Sequence, residues 1–153
     1  ALLAHSRVTH LDLSHNRLDE SHVSELLPYL SKDPPLRSLS LSFNEIGDEG
    51  ARMLADACST SSHLKSLYLC STGIVEKHGS KDLARLIARS DSITHLDLSD
   101  NRIRKSGAKA ILTSLTTSNK KLRTLDLHWS LVPIDLENEI AQVLRKRISS
   151  PPS

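Results

Sequence analysis

Residues 93–101 read ITHLDLSDN, and residues 8–16 read VTHLDLSHN. A phrase respelled with two changes in nine places marks a unit copied along the chain, and searching outward from it finds the pattern LxxLxLxxNxL five times. Three copies are clear: Val8, Leu11, Leu13, Asn16, Leu18; Leu36, Leu39, Leu41, Asn44, Ile46; and Ile93, Leu96, Leu98, Asn101, Ile103. Two are looser: Leu64, Leu67, Leu69, Thr72, Ile74 and Leu122, Leu125, Leu127, Ser130, Val132. Their starts, at 8, 36, 64, 93 and 122, are 28, 28, 29 and 29 residues apart. That period holds a short strand, a turn, a full helix and a return loop.

The second half of each unit has the apolar spacing of a helix: Val23, Leu26, Leu27, Leu30; Ala51, Leu54, Ala55, Cys58; Leu83, Ala84, Ile87; and Ala108, Ile111, Leu112, Leu115. Gly50 and Gly107 recur at one point near the helix start, and Gly79 joins them after a one-residue insertion. A close approach of helix to strand layer, where a side chain would clash, is the expected reason. Aromatic residues make up only 3% of the chain against 38% hydrophobic residues, so the core must be built from aliphatic layers.

This pattern resembles the leucine-rich repeats of the ribonuclease-inhibitor-like class over nearly the whole chain. The resemblance implies an α/β solenoid, a horseshoe with parallel strands on the concave face and helices on the convex face. Asn16, Asn44 and Asn101 are then expected to turn inward and bond to neighbouring backbone. Residues 1–7 read as the end of an upstream repeat helix without a cap, which points to further repeats before residue 1. Residues 8–147 hold the five repeats. The last is expected to act as a C-terminal cap, because Ser130 replaces the asparagine and Leu136 the glycine, and residues 148–153 as a disordered tail.

The closing repeat is similar to the last repeat of the leucine-rich, t-complex-associated testis-expressed type subunit of the nexin-dynein regulatory complex. Asp126, Leu127, His128, Ser130, Val132, Glu137, Ile140 and Leu144 carry that likeness. It implies a structural or regulatory component of the ciliary or flagellar axoneme, with tubulin or other axonemal subunits as partners. Ribonuclease inhibitors share the period but are rich in cysteine and alternate two repeat types. Ran-activating proteins end in an acidic tail where this chain ends RKRISSPPS, and tropomodulin strands seldom read LDLS. A GTPase-regulating protein of the Ran-activating kind and a ligand-sensing repeat segment of a larger multidomain protein are the alternative readings.

The sequence carries no phosphate loop, no GxSxG elbow, no HExxH and no cysteine pair at zinc-ligand spacing, so binding without catalysis and without a cofactor is expected. A net charge of +2 does not suggest nucleic acid, and no apolar run approaches the roughly 20 residues of a membrane helix. Two cysteines make no disulfide framework, which suits a reducing, cytoplasmic or cytoskeletal setting. His10 and His95 occupy equivalent strand positions three rungs apart, about 15 Å at the usual strand spacing, too far to share a metal.

Function in a solenoid usually sits on the concave strands, so the candidate partner-binding residues are His10, Asp12, Phe43, Tyr68, His95, Asp97, Asp126, His128 and Trp129. They describe a mildly acidic face with aromatic anchors, suited to a protein carrying Lys or Arg. For the aspartates the competing reading is repeat consensus; for Phe43 and Trp129 it is packing beneath the turns. Lys105, Lys109, Arg145, Lys146 and Arg147 form a second candidate set, a basic convex face for an acidic partner such as tubulin, or else a solvated helix surface.

Overall fold

The computed structural model describes residues 7–75 and 78–149. Strands and helices alternate: β1 (His10–Asp12), α1 (Glu20–Leu30), β2 (Ser38–Ser40), α2 (Gly47–Cys58), β3 (Ser66–Tyr68), α3 (Gly79–Arg89), β4 (His95–Asp97), α4 (Arg104–Thr117), β5 (Thr124–Asp126) and α5 (Ile134–Ser149). The strands form one parallel sheet in sequence order. Its register sets identical repeat positions side by side, so His10, Ser38, Ser66, His95 and Thr124 make one file and Asp12, Ser40, Tyr68, Asp97 and Asp126 another. Each helix packs on the next, giving the expected solenoid of a strand layer and a helix layer.

The file between those two is Leu11, Leu39, Leu67, Leu96 and Leu125. Leu39 and Leu67 are wholly buried, whereas Leu11 and Leu125, on the outermost strands, are half-buried. Together with Leu41, Leu69 and Leu98 and the inner helix faces, these residues form one continuous aliphatic core. Fully burying each such side chain stabilises the fold by roughly 1.5–3 kcal/mol.

Asn44 and Asn101 turn inward as expected, whereas Asn16, in the first repeat, is exposed and donates from Nδ2 to Leu13 O and Ser14 O of its own repeat. Asn44 Nδ2 donates to the carbonyls of Leu13 and Leu41, while its Oδ1 accepts from the N–H groups of Asn16 and Leu18, one repeat earlier. Asn101 does the same with Leu69 and Leu98 as acceptors and Thr72 and Ile74 as donors. An amide serves because it donates and accepts at once. Thr72 and Ser130 keep a reduced version: Thr72 Oγ1 donates to Leu69 O, and Ser130 Oγ donates to Leu98 O and accepts from Asn101 N–H.

A second polar file, three residues before each of the last four repeat starts, was not foreseen. Ser61 and Ser90 accept from the N–H groups of Leu64 and Ile93, and Asn119 Oδ1 accepts from Leu122, each closing the turn before its strand. Asp33, at the same position, instead reaches into the next repeat and accepts from Ser61 and Ser62.

Two expectations change. A Cβ on Gly50 would lie 2.5 Å from Ile46 Cγ2, and one on Gly107 would lie 2.6 Å from Ser80 Oγ and 2.9 Å from Ile103 Cγ2. The glycines thus clear the isoleucine that enters each helix and, at Gly107, the preceding helix, not the strand layer. The last helix also continues through Ile148 and Ser149, beyond the expected boundary at 147. Isoleucine and serine there follow three basic residues that favour a helix C-terminus, and proline first appears at 151. The expectations for residues 1–6 and 150–153 lie outside the described residues.

Candidate functional site

The strand register brings most of the concave candidates onto one surface. His10 and His95 share a file and are exposed; Asp12, Tyr68, Asp97 and Asp126 share the next but one. The three aspartates fold back on their own strands. Asp12 Oδ1 accepts from the Ser14 N–H at 2.9 Å and from its hydroxyl, Asp97 Oδ1 from the Ser99 N–H at 2.9 Å and hydroxyl at 2.6 Å, and Asp126 Oδ1 from the His128 N–H at 2.9 Å. Such a turn explains why the sequence spells LDLS: the serine two residues on gives the carboxylate two donors. One oxygen of each aspartate is therefore structural, while Oδ2 takes no hydrogen bond among the described residues.

These bonds set the electrostatics. The Ser14 hydroxyl and N–H hold the Asp12 carboxyl below its ordinary value. Partial burial opposes ionisation of Asp126, but the His128 backbone and ring outweigh it, and the carboxyl is lowered. In return the Asp126 carboxylate, 2.6 Å from His128 Nδ1, makes that ring more basic than free histidine.

Just past each strand lies a rim file: His15, Phe43, Ser71, Asp100 and Trp129, every one left-handed with φ between 51° and 58°. That conformation costs a non-glycine residue roughly 1–2 kcal/mol. It is held because the N–H of each of the first four donates to the next repeat, as Phe43 does to Cys70 O and Asp100 to His128 O. Phe43 and Trp129 do not pack beneath the turns. Phe43 is 48% exposed and stacks on His15, with ring centroids 4.3 Å apart, while Trp129 is 82% exposed. Trp129 and Leu131 wall a shallow groove of about 580 Å³ whose floor includes Gly73, Val75 and Arg102. A second cleft, about 530 Å³ and more apolar, is lined by Leu125, Leu127, Ile140, Leu144 and Glu137 and by the concave residues Tyr68, His95 and Asp97. The cleft as a space escaped sequence reasoning, which followed strand files and named Glu137 only for the likeness of the closing repeat.

The basic candidates do not form one face. Lys105 and Lys109 stand exposed in the first turns of α4, and Arg145 and Lys146 are exposed near the end of α5. Arg147 is different. Half-buried, it donates to the carbonyls of Leu115, Asn119 and Leu122 at the far end of α4, about 15 Å along the helix from Lys105. Its guanidinium thus donates to one carbonyl of the last turn of α4 and to two in the loop that follows, a structural role in holding α5 against that end. Asn119 does the equivalent one repeat earlier, donating from Nδ2 to Ile87 O and Ser90 O at the end of α3.

Both cysteines are free thiols. Burial pushes Cys58 up to about 12, as an inert core position requires. Cys70 is half-buried in the file of Ser42 and Ser99, and burial raises its thiol as well. Among the described residues no three His, Cys, Asp or Glu side chains gather as for a metal, and no helix is long and apolar enough to cross a membrane.

A family model described as Leucine Rich repeat matches residues 32–55 and 90–112, and a second, Leucine Rich Repeat, matches 7–30. The chain is a leucine-rich repeat protein. Its leucine-rich repeats are 30% identical over 144 residues to the ribonuclease inhibitor of Mus musculus, covering 94% of this chain and 31% of that protein. They are 34% identical over 100 residues to NACHT, LRR and PYD domains-containing protein 5 of Homo sapiens, covering 65% of this chain and 8% of that one. The chain thus spans a third or less of these relatives. Among solved structures it superposes on the leiomodin-1 Actin-Binding Site 2 with a TM-score of 0.81 at 17% identity, covering 92% of this chain and 80% of that one. It also matches the tropomodulin C-terminal domain of Caenorhabditis elegans with a TM-score of 0.76 at 16% identity, over 95% and 87%. Ribonuclease inhibitors are therefore homologues despite the paucity of cysteine here, since the likeness lies in the leucine framework. The resemblance of the closing repeat to the nexin-dynein subunit has no counterpart among these relatives.

Proposed function

We propose that this leucine-rich repeat segment is a non-catalytic docking module of a larger protein, taking a protein partner across its concave sheet and adjoining rim. The observation that carries the reading is the rim file. Five consecutive repeats hold this position left-handed, and two of them use it to display large aromatic rings beside the concave carboxylates. Aromatic anchors flanked by charge are what protein interfaces concentrate. The multidomain relatives, of which the chain spans a small share, favour a repeat segment within a longer chain.

The names of related proteins supply partners to test: a ribonuclease, from the inhibitors, and actin, from leiomodin-1. Tubulin and axonemal subunits join them through the closing repeat alone, and Lys105, Lys109, Arg145 and Lys146 are the exposed cations for that contact.

The test places a photo-crosslinking residue in the full-length protein at Ser40 or Tyr68 on the concave side and, separately, at Gln142 on α5. Cross-links to one partner from the concave positions alone are expected. Cross-links from Gln142 alone would remove the concave reading. Fractionation of ciliated cells then decides the axonemal version: retention in the axoneme pellet supports it, and release into the soluble fraction ends it.

A further inference from the structure

Among the described residues, α4 alone of the five helices has no acidic residue in its first turn. The partial positive charge at a helix N-terminus favours a carboxylate there. The other helices supply one: Glu20 in α1, Asp48 and Glu49 in α2, Asp82 in α3, Asp135 and Glu137 in α5. Helix α4 opens instead on Arg104 and Lys105, with Arg102 just before them and Lys109 one turn on. All four cations are exposed, and none makes an ion pair among the described residues. The N-cap, Ile103, offers no side-chain oxygen, so this turn holds like charges against the dipole without a cap.

The repeats starting at 36 and 93 align Ile46 with Ile103, Glu49 with Ser106, Gly50 with Gly107 and Arg52 with Lys109. In α2 the Glu49 carboxylate pairs with Arg52 one turn on, Oε2 accepting from Nε at 3.0 Å and Oε1 from Nη2 at 2.5 Å. In α4 the same two places hold an exposed serine and an exposed lysine. The cation of the pair is kept, and the anion is replaced by a hydroxyl. A phosphate on that hydroxyl restores the anion three residues before Lys109, at the helix end where negative charge is favoured.

We propose that Ser106 is a phosphorylation site for a protein kinase that recognises the cations preceding it, and that the phosphate locks the first turn of α4 by pairing with Lys109. The Ser106 oxygen attacks the γ-phosphorus of ATP, the bond from that phosphorus to its bridging oxygen breaks, ADP leaves, and the hydroxyl proton passes to the base of the kinase. Arg102, Arg104 and Lys105 lie four, two and one residues before the acceptor and give an acidic kinase cleft its contacts. An uncapped first turn opens more readily than a helix interior, which lets the segment enter that cleft. Once added, the phosphate brings a charge of about −1.5 to −2 and three acceptor oxygens to the N–H groups of the turn and to Lys109. The positive charge around Lys105 and Lys109 falls, so an acidic partner on that face binds less well. The site lies in the fourth repeat, with a neighbour on both sides, and stands whether or not either face docks a partner.

The folded full-length protein is incubated with Mg-ATP and, in separate reactions, with two kinases that read cations before the acceptor, cAMP-dependent protein kinase and protein kinase C. Mass spectrometry locates the phosphate. At least one of the two is expected to modify Ser106, and Arg104→Gln with Lys105→Gln should slow the transfer about tenfold. In the phosphorylated protein, amide exchange at Lys105, Ser106 and Gly107 is expected to slow about threefold, while exchange in the first turn of α2 stays as it was. Lys109→Gln should remove most of that slowing. No phosphate on Ser106 from either kinase, transfer to the urea-unfolded chain alone, or transfer undiminished by the Arg104 and Lys105 changes would overturn the proposal. So would unchanged exchange at the start of α4, or slowing that Lys109→Gln leaves intact.

Discussion

The helix layer and the sheet layer meet the end of the last repeat in opposite ways. At the end of α4 and in the loop after it, Arg147 bonds to the carbonyls of Leu115, Asn119 and Leu122. In the sheet, Arg123 O, Leu127 N–H and Trp129 N–H find no backbone partner among the described residues. A solenoid satisfies each repeat's polar groups with its neighbour, so a terminal repeat must replace the neighbour or leave groups open. Within the described residues one side chain meets the end of the helix layer, while these groups of the sheet layer have no backbone partner.

The strongest way to break this comparison is to remove the neighbour-to-neighbour bonding itself. Asn101→Ala leaves the carbonyls of Leu69 and Leu98 and the N–H groups of Thr72 and Ile74 without their buried partner, an expected loss of about 3–5 kcal/mol at 1–3 kcal/mol per orphaned buried group with partial relaxation. Urea unfolding measures it, and Asn101→Thr should lose less, because Thr72 already does part of the task in its own repeat. Gly107→Val tests whether the helix layer tolerates bulk. Crowding against Ser80 and Ile103 is expected to cost about 1–3 kcal/mol by the same assay.

Arg147→Met sharpens the contrast directly. It keeps the aliphatic stem but uncaps α4, and about 1–2 kcal/mol of stability should go, with faster amide exchange confined to the end of α4 and to α5. The smallest effect is electrostatic. Burial alone would raise the Asp33 carboxyl, but Ser62 and Ser61 bond to it and lower it from 3.8. A carboxylate depressed by folding stabilises the native state above its unfolded value and loses that contribution as pH falls through the folded one. Stability measured from pH 6 down to pH 2 should thus decline more steeply for the native chain than for Asp33→Asn.

The repeat period, strand positions, the inward turn of Asn44 and Asn101 and the helix faces were legible in the sequence, because each rests on residue type at a fixed spacing; Asn16 carries the same spelling but stays exposed in the first repeat. The rim was legible only as a file of residues. That Phe43 and Trp129 stand outward depends on a left-handed backbone, which no spacing reveals for non-glycine residues. Arg147 was misread for a different reason. A basic residue among basic residues looks solvated, and its burial depends on α5 crossing the end of α4. The file Asp33, Ser61, Ser90, Asn119 was open to discovery, since a polar residue precedes each of the last four repeat starts by three, but the leucines drew attention away from it. The aspartates have a double character: the LDLS spelling predicts the turn, and the same turn leaves one oxygen free for a partner.

Residue-resolved hydrogen exchange of the free protein tests the contrast between a closed helix layer and an open sheet edge most directly. The account expects Leu98 and Asp100 on β4 and its rim to be protected, their equivalents Leu127 and Trp129 to exchange far faster, and the last turn of α4 to be protected like that of α3. Protection of Leu127 and Trp129 equal to that of Leu98 and Asp100, or a frayed end of α4 beside an intact α3, would contradict it.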